Sequence, residues 1–177
     1  PDTPNGTWTA TVTATDNAGN VTQQVFTLTV NRNQIYGVVQ SEGFAGTTRA
    51  VTFVATGGTT KTWTQTLTFT GDTAPYVLVG VPDGTSGISA KTAWSLRSKL
   101  PVALDAGGEA EANFEDADML RAGDIDNSNS INVLDYSKLK VNWYTTNSVA
   151  DIDGNGSVGA TDYSLMRLNW FTAGDSQ

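Results

Sequence analysis

The chain has 177 residues, a formal net charge of −8 and neither cysteine nor histidine. This composition excludes disulfides, thiol nucleophiles, imidazole bases and the usual zinc and haem ligands. The acidic balance argues against nucleic acid or an anionic membrane as partner and makes hard cations the natural counterpart. No apolar run approaches the roughly 18 residues of a membrane-spanning helix, so no membrane insertion is expected. The chain begins at Pro1 without an initiator Met, which suits a processed or trimmed piece of something longer. A polar surface supplied by Thr, Ser, Asn and Gly is common in bacterial extracellular β-proteins, and a secreted or cell-surface location is expected.

Residues 1–31 read as strand, turn, strand. Trp8, Ala10, Val12 and Ala14 alternate with threonines, and Phe26, Leu28 and Val30 repeat the period after the turn Asp16-Asn17-Ala18-Gly19-Asn20. This stretch resembles the last hairpin of a bacterial Ig-like domain. An isolated hairpin is marginal in water, so the face carrying Trp8, Val12, Phe26 and Leu28 needs cover from elsewhere. Strand complementation by the chain's own sandwich or by another copy of itself would supply it, and the second route leads to a fibre.

Residues 34–118 contain seven short apolar-alternating runs, namely 35–40, 49–56, 61–70, 76–81, 87–94, 99–104 and 109–114, separated by Gly, Pro and Asp. Runs at this spacing predict a β-sandwich. The order Tyr76-Val77-Leu78-Val79-Gly80-Val81-Pro82-Asp83-Gly84 resembles the carboxypeptidase-regulatory-like (transthyretin-like) family, whose modules are non-catalytic spacers or carbohydrate-associated domains. Trp63 and Trp94 are either sugar-stacking platforms or, as burial statistics favour, tryptophans packed between sheets. Carbohydrate therefore stands as a possible ligand.

Residues 121–174 hold an internal repeat with a period of 27 residues, which aligns Asp124-Ile125-Asp126-Asn127-Ser128-Asn129-Ser130-Ile131-Asn132-Val133-Leu134-Asp135 with Asp151-Ile152-Asp153-Gly154-Asn155-Gly156-Ser157-Val158-Gly159-Ala160-Thr161-Asp162. Both loops are read on the D-x-[DN]-x-[DN]-G calcium pattern, which the second matches in full and the first matches with Ser128 at the fifth position and Asn129 at the sixth; oxygen donors fall at alternating positions because calcium is a hard ion. The predicted ligands of the first loop are Asp124, Asp126, Ser128, the Ser130 carbonyl, Asn132 and Asp135. Those of the second are Asp151, Asp153, Asn155, the Ser157 carbonyl and Asp162, with water in place of a side chain at Gly159. Two Ca2+ ions are expected. The sixth residue, Asn129 or Gly156, needs a sharp turn with positive φ.

Position 12 is Asp rather than the Glu of EF-hands, and a helix is expected after each loop but not before it. This arrangement resembles the type I dockerin family, which implies a pair of loop–helix units that fold on calcium and dock onto a cohesin. In cellulosomal members a Ser/Thr pair at the tenth and eleventh positions recognises cohesin, whereas here those positions are Val133-Leu134 and Ala160-Thr161. Tyr136, Leu139 and Trp143 recur as Tyr163, Met166 and Trp170, one stripe per helix, and two such stripes facing each other would form a small core. Leu165 and Leu168 form a second strip that contacts either the sandwich or a partner. The expected fold class is thus mainly β, an Ig-like or transthyretin-like sandwich with a small C-terminal α unit. No catalytic constellation stands apart from the metal ligands. The expected function is a non-catalytic structural or assembly module. The alternatives are the attachment appendage of a larger secreted polysaccharide-degrading enzyme and a carbohydrate-binding module.

Overall fold

The computed structural model describes residues 6–30 and 33–177. β1 (Gly6–Thr15) and β2 (Val21–Val30) form a two-stranded antiparallel sheet of their own. The register sets Trp8 opposite Leu28, Ala10 opposite Phe26 and Val12 opposite Gln24, so the alternating apolar positions share one face. Asp16 closes the turn, because its carboxylate accepts from the Ala18 and Asn20 N–H groups and from the Asn20 amide. Gly19, at φ +85°, supplies the left-handed step. Residues 1–5 and 31 of the expected hairpin lie outside the described residues.

The seven expected strands of the sandwich all form, with shifted ends. They are β3 (Gln34–Gln40), β4 (Thr48–Thr56), β5 (Lys61–Thr68), β6 (Thr73–Val79), β7 (Gly87–Lys91), β8 (Ser98–Pro101) and β9 (Glu109–Glu111). β6 stops at Val79 because Gly80 turns the chain with φ +66°. β7 stops at Lys91, which leaves Trp94 in the following loop and outside the strand expected to contain it. One sheet has the order β6-β3-β9 and the other β5-β4-β7-β8, antiparallel throughout except that β9 runs parallel to β3.

The two sheets enclose one apolar cluster that includes Ile35, Val39, Val51, Phe53, Leu78, Ile88 and Phe114. Phe53 stacks on Tyr76 with ring centroids 4.4 Å apart, and the Tyr76 hydroxyl donates to the Ala112 carbonyl at 2.6 Å. Burial pushes that phenol's pKa up. The outer carbonyls of β6 are met by side chains of β5: Gln65 Nε2 donates to Val77 O and Trp63 Nε1 to Val79 O. Trp63 is half-buried, packed against the core with the Lys61 ammonium over its ring, and so lies beside the sheets rather than between them.

Beyond the sandwich lie two nine-residue helices, α1 (Val133–Val141) and α2 (Ala160–Leu168). A second apolar cluster joins Ile125, Ile131, Leu139, Ala150, Ile152, Val158, Leu165 and Met166 to Leu96 of the β7–β8 connection. The helical stripes do face each other, with Tyr136 6.0 Å from Tyr163. Tyr136 also meets Trp170 at 6.1 Å, and Tyr163 meets Trp143 at 6.3 Å, which is the pattern of a local two-fold. Both tryptophans follow the C-cap residues Asn142 and Asn169, so the seam runs past the helix ends.

Candidate metal centres

Each loop is closed by its last aspartate, which lies in the first turn of the helix that follows. Asp135 accepts from the Asp126 N–H (3.0 Å) and the Asn132 N–H (2.8 Å). Asp162 accepts from the N–H groups of Ile152 (2.7 Å), Asp153 (3.2 Å) and Gly159 (2.7 Å). The first aspartate of each loop binds the backbone of the sixth position, Asn129 N to Asp124 Oδ2 and Gly156 N to Asp151 Oδ2, both at 2.9 Å. Asn129 has φ +66° and Gly156 φ +92°, as a sharp turn there requires. The fourth residues, Asn127 and Gly154, are also left-handed, a feature not read from the sequence.

The eighth residues cross between the repeats. Ile131 N donates to Thr172 O and its carbonyl accepts from Phe171 N, while Val158 N donates to Thr145 O and its carbonyl accepts from Tyr144 N. Each loop is thereby tied to the end of the other loop's helix.

This closure gathers two acidic clusters, Asp124 with Asp126 and Asp135, and Asp151 with Asp153 and Asp162. Within each, one carboxylate oxygen per residue lies within 4.8 Å of the others. All but Asp126 are buried. Burial raises the pKa of Asp135, and neighbouring Asp126 and Asp124 add to the rise. Burial likewise raises Asp153, helped by Asp162 and Asp151. Asp126 is lowered, first by its hydrogen bond with Ser128.

The remaining predicted ligands are placed as follows. Ser128 Oγ donates to the Ser130 carbonyl at 3.1 Å. Asn132 Oδ1 accepts from Leu134 N at 2.8 Å and so caps α1. Asn155 donates to Asp153 Oδ2 at 2.7 Å, and its own oxygen accepts from Ser157 N and Oγ.

Two cations from the sandwich reach these loops, and neither was picked out from the sequence. Lys91 Nζ lies 2.5 Å from Asp124 Oδ2 and also donates to the Ser95 carbonyl. Arg49 Nη2 donates to the Ile152 carbonyl at 2.6 Å, with its guanidinium 3.9 Å from the Phe44 ring centroid and 4.7 Å from that of Trp94. Burial lowers the Arg49 pKa to about 10 against the opposing pull of Asp151 and Asp153. Its sequence signal was its parity with Val51 and Phe53, which puts it on the buried face of β4. Trp94 is half-buried here, where its indole N–H donates to the carbonyls of Ser148 and Val149.

No protein-family profile and no curated protein matches the sequence. Among solved structures, a chain from the crystal structure of a type II cohesin–X–dockerin complex of Acetivibrio cellulolyticus, an N-terminal interface mutant, is similar in fold. The two share 16% sequence identity with a TM-score of 0.57, over 80% of this chain and 97% of that one. The mainly β architecture of the chain is thus one already seen within a cohesin–dockerin assembly.

Proposed function

We propose that the chain is a non-catalytic, extracellular assembly module whose C-terminal unit binds two calcium ions and docks onto a partner protein. The observation that carries the calcium reading is Asp151 Oδ1, a buried carboxylate oxygen with no hydrogen-bond partner among the described residues. It sits in a cluster with Asp153 and Asp162. Buried polar atoms are nearly always partnered, and buried carboxylates are strongly unfavourable unless paired or bound to metal. Oxygen-only donors suit a hard cation of calcium's kind. Asp124, Asp126, Ser128, the Ser130 carbonyl and Asp135 would hold one ion, and Asp151, Asp153, Asn155, the Ser157 carbonyl and Asp162 the other. Asn132 would act from the helix cap.

The docking reading is supported by the fold likeness. The stretch before Gly123 makes up only about two thirds of the chain, so a likeness spanning 80% of it takes in part of the helical unit as well as the sandwich. The surface of that unit has its own character. Val133 and Leu134 open α1 at 59% exposure each, in the positions where the dockerin resemblance implies a Ser/Thr pair. A partner surface that is apolar at this point, rather than one that reads hydroxyls, is the consequence.

Calorimetric titration of the full chain with calcium tests the first part, with two ions bound as the expected result. A chain that binds none, and whose helical circular dichroism ignores chelator, overturns it. Pull-down with a cohesin panel tests the second. A further reading, self-assembly through the N-terminal hairpin, is favoured by one observation: Val12, Val25 and Phe26 are each more than half exposed on that two-stranded sheet.

A further inference from the structure

The two loops are repeats of each other, yet their first aspartates are treated differently by the sandwich. In the first loop both oxygens of Asp124 are engaged, Oδ1 by Ser128 N (2.8 Å) and Oδ2 by Asn129 N and the Lys91 ammonium. In the second loop Asp151 Oδ2 accepts from Gly156 N, and Oδ1 is left without a partner among the described residues. The cation facing the second loop, Arg49, spends its hydrogen bonds on the Ile152 carbonyl and the Ser41 hydroxyl instead of on a carboxylate.

Lys91 is 8% exposed and Asp124 is fully buried, so solvent screens this pair poorly. The strand that carries Lys91 is buried along its length, which fixes the ammonium against the loop. An ammonium held on one oxygen of a carboxylate lies within a few ångströms of any ion held on the other, roughly 5 Å by bond geometry alone. It therefore stabilises the empty cluster by attraction and opposes the entry of a divalent ion by repulsion, so that it lowers the affinity of the loop for that ion.

We propose that Lys91 is a tethered counter-ion of the first loop. It offsets the charge of Asp124, Asp126 and Asp135 when no metal is present, keeps the empty loop folded against the sandwich, and sets the calcium affinity of this site below that of the second. The inference rests on the calcium reading of the two loops. Its consequence is ordered filling, with the second loop loading at lower calcium and the first acting as the weaker, tunable site.

The test is a calcium titration of the full chain followed by residue-resolved NMR, with the Asn129 and Gly156 amides reporting the first and second sites separately. In the wild type, Gly156 is expected to shift at lower calcium than Asn129. In K91M the affinity read at Asn129 should rise by roughly tenfold or more, from a unit charge removed beside a divalent ion, while that at Gly156 changes little. In calcium-free K91M, amide exchange in residues 124–135 should be faster than in the wild type. K91R, which keeps the charge, should behave as the wild type.

If K91M does not fold without calcium, K91Q is measured from the calcium-saturated state by chelator competition, and more chelator should be needed to strip the first site. Two bound ions with first-site affinity unchanged or weakened in both variants overturn the role of Lys91 and leave the calcium reading standing. No calcium-dependent shift at either amide in the wild type overturns that reading and the inference with it.

Discussion

Asp162 combines two roles that substitution can separate. Besides its place in the acidic cluster it accepts three backbone N–H groups, from Ile152, Asp153 and Gly159, and it is fully buried. Asp162→Ala would strand those donors at about 1–3 kcal/mol each. The expected result is loss of the second ion together with destabilisation by several kcal/mol even in chelator, read by urea denaturation. Asp153→Asn keeps the shape and removes a charge that burial already disfavours, so it should weaken calcium binding and leave the metal-free stability nearly unchanged. Equal destabilisation by both variants in chelator would contradict this division.

The raised pKa values of Asp135 and Asp153 give a pH dependence of definite sign. Their folded values stand above 3.8, the ordinary value taken for the unfolded chain. Their contribution to metal-free stability is therefore fully present below 3.8 and is lost as the pH rises through the raised values. Asp126, lowered below 3.8, works in the opposite sense: its contribution is present above 3.8 and is lost as the pH falls through its lowered value. Calcium needs all three carboxylates of a site ionised, so binding at mildly acidic pH should release protons. Calorimetry in two buffers of different ionisation enthalpy should show that release growing as the pH falls toward the carboxylate range. Identical heats in both buffers there would contradict the shifts.

At the scale of elements, the two leucines expected to form one strip on α2 part company. Leu165 is 8% exposed and lies so close to Gly43 that a Cβ built there would come within 2.5 Å of its Cδ2, whereas Leu168 is 74% exposed. Leu165→Ala should destabilise by about 2–5 kcal/mol and speed proteolysis between 114 and 123. Leu168→Ala should stay within about 0.5 kcal/mol. Equal effects of the two would show that α2 does not pack on the Gly43 turn in solution. What separates these residues is a neighbour more than a hundred positions away in the sequence. The same distance explains what was legible and what was not. Strand alternation and the 27-residue repeat are local periodicities, so seven strands, two loops and the facing helical stripes could be read from the residues themselves. The contacts of Arg49 with Ile152 and of Lys91 with Asp124 depend on how the repeat sits on the sandwich, which no local pattern encodes. The position of Trp94, outside β7 and away from the space between the sheets, follows from the same distant contacts. Its ring covers no sheet interior but bridges to Ser148 and Val149.

Across the whole molecule, the sandwich and the helical unit are joined at several separate points. The β7–β8 connection contributes Leu96 to the second apolar cluster, and Glu42 binds both Ala122 N and the Asn169 amide at the end of α2. The segment after α2 also returns to the sandwich: Asp175 N donates to Arg97 O, and its carboxylate accepts from Lys99 N. The hairpin contrasts with this, since β1 and β2 pair with each other in a sheet that includes no other strand among the described residues. Removing residues 1–31 should therefore leave the melting temperature and the calcium stoichiometry of the remainder unchanged. The same deletion should alter association. Trp8 and Val12 share a face with Phe26, which is 53% exposed, and a two-stranded sheet joined by no further strand among the described residues has both an apolar face and edge backbone groups to offer a second copy. The full chain is expected to associate with rising concentration in sedimentation velocity, and the deleted chain to stay monomeric. Phe26→Lys in the full chain should abolish association by placing a charge on the shared face without touching either metal loop. A full chain that remains monomeric at high concentration would remove the self-assembly reading. It would leave the docking of the helical unit onto a different protein as the route by which this module joins an assembly.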